Sequence, residues 1–147
     1  MVALAQPLPK YDILQSIPGI AETTATSITG ELGDIRRFQS TNQINAFIGI
    51  DLRHYESGNF LAKEHITKRR NPYARKILFK CIHNIASASH TNPCHIAIAD
   101  FYEKRKRQST IASTKPHTIA SIHRLIRTMY YLITHNKLYD YSLAQNR

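Results

Sequence analysis

The sequence predicts an all-α protein: a small helical domain with a helix-hairpin-helix-like N-terminal unit, a central irregular basic loop and about three longer packed C-terminal helices. Three observations carry this. Apolar residues recur at spacings of three and four rather than two, which is the helical period. Pro72, Pro93 and Pro116 stand where periodic stretches begin, and Gly49 stands where one ends. The 147 residues are 42% hydrophobic and include eight Tyr and five Phe. A chain of this size buries about 70% of its unfolded surface, so one core forms without disulfide or metal staples.

Taken in order, residues 1–12 read as a tail or linker remnant and residues 13–141 as the domain, followed by a tail at 142–147. Within the domain, 13–50 is the hairpin-like unit, 51–70 the irregular loop and 71–141 a helical bundle. From Leu14 to Ala25 an apolar helix end meets the turn Pro18-Gly19, and a second helix begins at once. The turn requires Gly19. Unpaired N–H groups opening that second helix suit a phosphate, so Gly19, Ile20 and Ala21 are candidate backbone contacts for DNA. An ordinary αα-hairpin has the same signature. Ser40 or Thr41 then caps a short helix holding Ile44, Phe47 and Ile48, closed by Gly49. A helix from Pro72 carries Ile77, Leu78, Cys81, Ile82 and Ile85, fading between Ser87 and Asn92. Pro93 opens the next, with Ile98, Phe101 and Tyr102 inward. The clearest helix runs from Thr118, with Ile119, Ile122, Leu125, Ile126, Met129, Tyr130 and Ile133 as its stripe and Pro116 in its first turn.

Charge supplies the first functional clue. Twenty Lys and Arg face ten Asp and Glu, a formal net charge of +10 with a pI near 9.9. Such an excess concentrates polyanions, nucleic acid before anionic membrane. No apolar run approaches the roughly 18 residues that span a bilayer, and the first residues lack the pattern of a secretory signal. A cytoplasmic protein with reduced Cys81 and Cys94 is expected. The basic residues form two patches. One gathers Arg53, Lys63, Lys68, Arg69, Arg70, Arg75, Lys76 and Lys80, and the other is Lys104-Arg105-Lys106-Arg107. Lys104 and Arg105 are candidate backbone contacts, against the alternative of a solvated helix end. A zinc site from Cys81, His83, Cys94 and His95 is disfavoured, because Cys81 and His83 diverge by about 200° around one helix. Tyr130 and Tyr131 could stack on bases, though one of them lies on the apolar stripe.

Between Ile50 and Arg70 the helical period is lost, and this stretch holds Ser57 before Gly58, with cations on both flanks. A serine that attacks a phosphodiester needs an exposed hydroxyl, cations for the phosphorane charge and a proton acceptor. Gly58 supplies a permissive turn, and Arg53, Lys68, Arg69 and Arg75 supply cations. His54, Glu56 or a metal-bound hydroxide from another domain are candidate acceptors. A Ser-Gly pair is also the commonplace composition of a solvated turn.

The ordered series Ile17-Pro18-Gly19-Ile20, Glu31-Leu32-Gly33-Asp34, Phe38, Ala46-Phe47-Ile48-Gly49-Ile50 and Ser57-Gly58 continues through Ile66-Thr67-Lys68-Arg69, Asn71-Pro72, Arg75-Lys76, Lys115-Pro116-His117, Tyr130-Tyr131 and Tyr139-Asp140. In that order it resembles the C-terminal serine-bearing domain of the bridge-RNA-guided insertion-sequence transposases, relatives of the Piv-type DNA invertases. The resemblance covers Leu14 to Tyr141. It implies a nucleophilic Ser57 that forms a phosphoserine intermediate with DNA and frees a 3′-hydroxyl. It also implies a partner RuvC-like acidic domain holding Mg, a guide RNA and further protomers. Ala21 replaces a usual second glycine and Arg70 a usual glycine before Asn71, and the ten acids are scattered from Asp12 to Asp140. No cofactor is therefore expected in this chain itself. Two expectations stand: the catalytic half of a serine-dependent recombinase, inactive alone, or a non-catalytic nucleic-acid-binding module or decayed remnant.

Overall fold

Helical periodicity becomes helix along most of the chain in the computed structural model, which describes residues 2–5, 7–53, 56–57, 60–61, 65–91 and 97–142. For 52, 53, 56, 57, 60, 61 and 65 it describes the backbone alone. The helices are α1 (Val2–Ala5), α2 (Pro9–Gln15), α3 (Glu22–Leu32), α4 (Thr41–Ile48), α5 (Pro72–Thr91), α6 (Ala97–Gln108) and α7 (Lys115–Thr134), with a 3-10 turn at Ile35–Arg37. The all-α class holds. The long helices α5, α6 and α7 pack on one another, α3 lies on α5, and α2 and α4 lean on α7. Ile28, Leu32, Ile48, Leu78, Ile82, Ile85, Ile98, Ile122, Leu125 and Met129 fill the space between them.

Several boundaries move from their expected places. α5 does not fade at Ser87: Ser89 and Thr91 donate their hydroxyls to the carbonyls of Ala86 and Ser87, so polar side chains are satisfied inside the helix. α7 begins at Lys115 with Pro116 in its first turn, and its buried stripe takes Ser121 and Leu132 while Ile119 and Tyr130 are only partly covered. Pro93 lies outside the described residues. Packing also starts ahead of residue 13, for α1 rests on α3 and both Ala5 and Tyr11 are in the core.

The region between α4 and α5 is a nested pair of short antiparallel ladders. β1 (Leu52–Arg53) pairs with β4 (His65–Ile66), and inside them β2 (Glu56–Ser57) pairs with β3 (Phe60–Leu61). The base of this hairpin is stitched to the bundle. Gly49 takes the left-handed conformation that closes α4 (φ 77°) and its carbonyl accepts from the Lys68 N–H at 3.0 Å. Asp51 accepts from the N–H of Thr67 through its backbone carbonyl and from the hydroxyl through its carboxylate. Asn71 closes the return: its N–H donates to the Phe47 carbonyl, its amide donates to Glu31 at 2.8 Å, and its Oδ1 accepts from the N–H groups of Tyr73 and Ala74 at 3.0 Å each. Asn71 is thus the N-cap of α5 and its tie to α3.

Candidate nucleic-acid interface

α5 turns two faces to different surroundings. Ala74, Leu78, Cys81, Ile82 and Ile85 are buried, while Pro72, Arg75, Lys76 and Phe79, at i, i+3, i+4 and i+7, look the other way into a groove. The start of α7 forms the opposite wall with Lys115, Pro116, Ile119, Ala120 and His123. Arg105 from the end of α6 and Ile66 and Lys68 from the hairpin base complete a groove of about 840 Å³. Lys68, Arg75, Lys76, Arg105 and Lys115 charge it, Phe79, Ile119, Ile66 and the two prolines make it partly apolar, and among the described residues no acid lines it.

The structure brings three of the candidate residues together here: Lys68, Arg75 and Arg105. Arg75 is also structural, for its guanidinium donates to the carbonyl of Ile48 at 2.8 Å and so caps the end of α4. Arg105 and Arg124 both lie over the Phe101 ring, at 5.6 and 5.1 Å from its centroid. Lys104 is exposed but does not line the groove, because successive helical residues turn about 100° apart. Arg69 and Arg70 are exposed beside the hairpin base, Arg70 at φ 70° and Lys68 at φ 51°. Arg70 adopts a left-handed conformation where the resembled family has the glycine that adopts it readily. Arg53 and Ser57 lie on β1 and β2, and Ser57 pairs with Phe60 across residues outside the description, Gly58 among them. His54 and Lys63 are outside it as well.

The Gly19 turn faces inward. Gly19 has φ 90°, and a Cβ there would meet the Ile85 Cα at 2.7 Å, so the turn is pressed on the backbone of α5. Ile20 is buried, Ala21 is exposed, and the acid Glu22 opens α3. An acid at a helix start is electrostatically favourable to the helix and unfavourable to a phosphate there. Arg36 and Arg37, in the 3-10 turn after α3, are engaged: Arg36 donates to the Ile133 carbonyl at 3.0 Å, and Arg37 lies over Phe38 and Phe47. Tyr130 donates its hydroxyl to the Phe38 carbonyl, and Tyr131 stacks with His135.

Sequence reasoning missed Lys76, Phe79, Lys115 and His123 as one surface. The available signal was the phase of Pro72-Arg75-Lys76-Phe79, off the apolar stripe of the same helix. His123 is held below the ordinary imidazole value of 6.5 by burial and by the charge of Arg127, with a hydrogen bond to the backbone of Ile50 acting the other way. Burial pushes the Cys81 thiol up to about 12. Cys94 and His95 lie outside the description, and among the described residues no group of three or more His, Cys, Asp or Glu is placed to hold a metal ion. Among the same residues no helix is long and apolar enough to cross a membrane.

Fold and groove define the class: a small basic helical domain presenting a cationic cleft. Comparison with known proteins gives the family. The family model described as "Transposase IS116/IS110/IS902 family" matches residues 11–99, more than half of the chain, and the chain belongs to that family. It is also similar to the transposase for insertion sequence element IS1111A of Coxiella burnetii (strain RSA 493 / Nine Mile phase I), 42% identical over 65 residues. That match covers 44% of this chain and 18% of the relative.

Proposed function

We propose that this chain is the DNA-gripping, serine-bearing part of an insertion-sequence transposase that acts in DNA transposition by cleaving and exchanging strands. The observation that carries the reading is the groove: Lys68 of the hairpin base, Arg75 and Lys76 of α5, Arg105 of α6 and Lys115 of α7 converge, with no acid among the described lining residues, on a chain of a transposase family. Five clustered cations neutralise a run of phosphates, and such contacts hold a strand in register without reading its bases.

Ser57 belongs to the hairpin whose base lines the groove. It lies five positions past Leu52, whose partner Ile66 lines the groove, so its Cα is at most about 18 Å along the chain from that of Leu52. In the proposed step the Ser57 Oγ bonds to phosphorus, the bond from phosphorus to the 3′-oxygen breaks, and the proton lost by serine is balanced by one gained at the freed 3′-hydroxyl. Groove cations stabilise the charge on the phosphorane oxygens. The described residues do not fit a divalent ion, so Mg belongs with a RuvC-like acidic domain, and no step is routed through it here. A guide RNA and further protomers of the transposase complete the proposed assembly.

The experiment uses Ser57→Ala in the transposase that contains both domains. Strand exchange and a denaturation-resistant protein–DNA ester should both disappear while DNA affinity is kept. Exchange that survives Ser57→Ala but not removal of the groove cations would establish a non-catalytic binding module instead.

A further inference from the structure

The proposed function leaves open which form of nucleic acid the groove takes. We infer that its occupant is an unpaired polynucleotide strand, with phosphates on the cationic rim and a base face laid on the apolar floor at Phe79 and Ile119. This rests on the nucleic-acid reading above and goes beyond it. A rim of Lys68, Lys76, Arg105 and Lys115 alone would suit any polyanion. The floor separates the possibilities. Phe79 and Ile119 are only partly buried, each packed on the core by one side and lining the groove with the other. A duplex keeps its bases stacked inside and shows the protein its phosphates, so a recessed aromatic floor gains nothing from it. An unpaired strand offers both groups at once. Cationic tracks with aromatic platforms are the general chemistry of single-strand binding.

The groove is also walled as such a track requires. Phe79 stands one helical turn beyond Arg75 and Lys76 on α5, and Ile119 one turn beyond Lys115 on α7, so each wall places its cations and its apolar side chain along the same direction of chain travel.

The test compares a 5-iodouracil-containing single strand, as DNA and as RNA, with a hairpin duplex of the same sequence, all at one salt concentration, on the full chain. Tighter binding of either single strand than of the duplex is expected, with photo-crosslinks mapping by mass spectrometry to the peptides carrying Phe79 or Ile119. The DNA and RNA arms tell which strand is the source. Phe79→Leu, which keeps apolar volume, should weaken the single strand about fivefold or more and leave the duplex unchanged. Wild-type crosslinks need no variant to fold, so the test survives a destabilised Phe79→Leu. Duplex bound as tightly as single strand, or crosslinks confined to peptides outside the groove, overturns the inference and spares the nucleic-acid reading. Failure of all three probes to bind overturns both.

Discussion

Gly19 and Gly30 look alike in the sequence and differ in what surrounds them. Gly19 sits at φ 90° with Ile85 where its side chain would be, whereas Gly30 lies inside α3 with open space around it. Gly19→Ala should therefore cost at least about 2 kcal/mol, from backbone strain and overpacking. Gly30→Ala should instead stabilise by roughly 0.5–1 kcal/mol, because helix interiors favour Ala. Urea unfolding of both variants measures the contrast, and equal effects would mean that the turn is not docked on α5. His123 gives a second test at this scale. Its pKa lies below 6.5, so as pH falls below 6.5 the unfolded chain takes up that proton first and this residue subtracts stability; above 6.5 it contributes nothing. A bound polyanion favours the imidazolium. NMR titration should show His123 protonating below 6.5 in the free protein and at higher pH with an oligonucleotide bound. No upward movement on binding would place the ligand away from the groove wall.

At the scale of elements, the helices were legible because their cores were. Leu78, Cys81, Ile82 and Ile85 on α5, and Ile122, Leu125, Ile126 and Met129 on α7, are buried as their spacing implies. Helix ends were less legible, since Ser89 and Thr91 satisfy themselves within α5 and leave no stop signal. The groove was hidden for a related reason: its residues come from one face each of α5 and α7 and from the ends of α6 and β4, and only tertiary packing superposes them. The resembling motif residues prove to hold the scaffold. Glu31 meets Asn71, Asp51 meets Thr67, and Gly49 leaves room for the backbone of Arg69. Asn71→Ala removes the cap of α5 and the tie to Glu31 together, and should cost about 1–2 kcal/mol. Hydrogen exchange should show the loss first at Tyr73 and Ala74, whose N–H groups Asn71 accepts. Unchanged protection there would mean that the cap is not formed in solution.

For the whole molecule, a net charge of +10 guarantees some attraction to any polyanion. Family membership narrows the kind of polyanion, and the groove is the proposed address for it. The proposed site for nucleic acid is the groove between α5 and α7, as opposed to diffuse surface charge. Its most direct test is the slope of log affinity against log salt for an oligonucleotide, measured for the wild type, for the double variant Lys76→Gln with Lys115→Gln, and for Lys137→Gln near the far end of α7, roughly 30 Å from Lys115. A steep slope is expected, becoming shallower by about 1.4–1.8 in the groove double variant and unchanged in Lys137→Gln. An affinity independent of salt, or a slope that the groove variant and the distant variant alter alike, would contradict it.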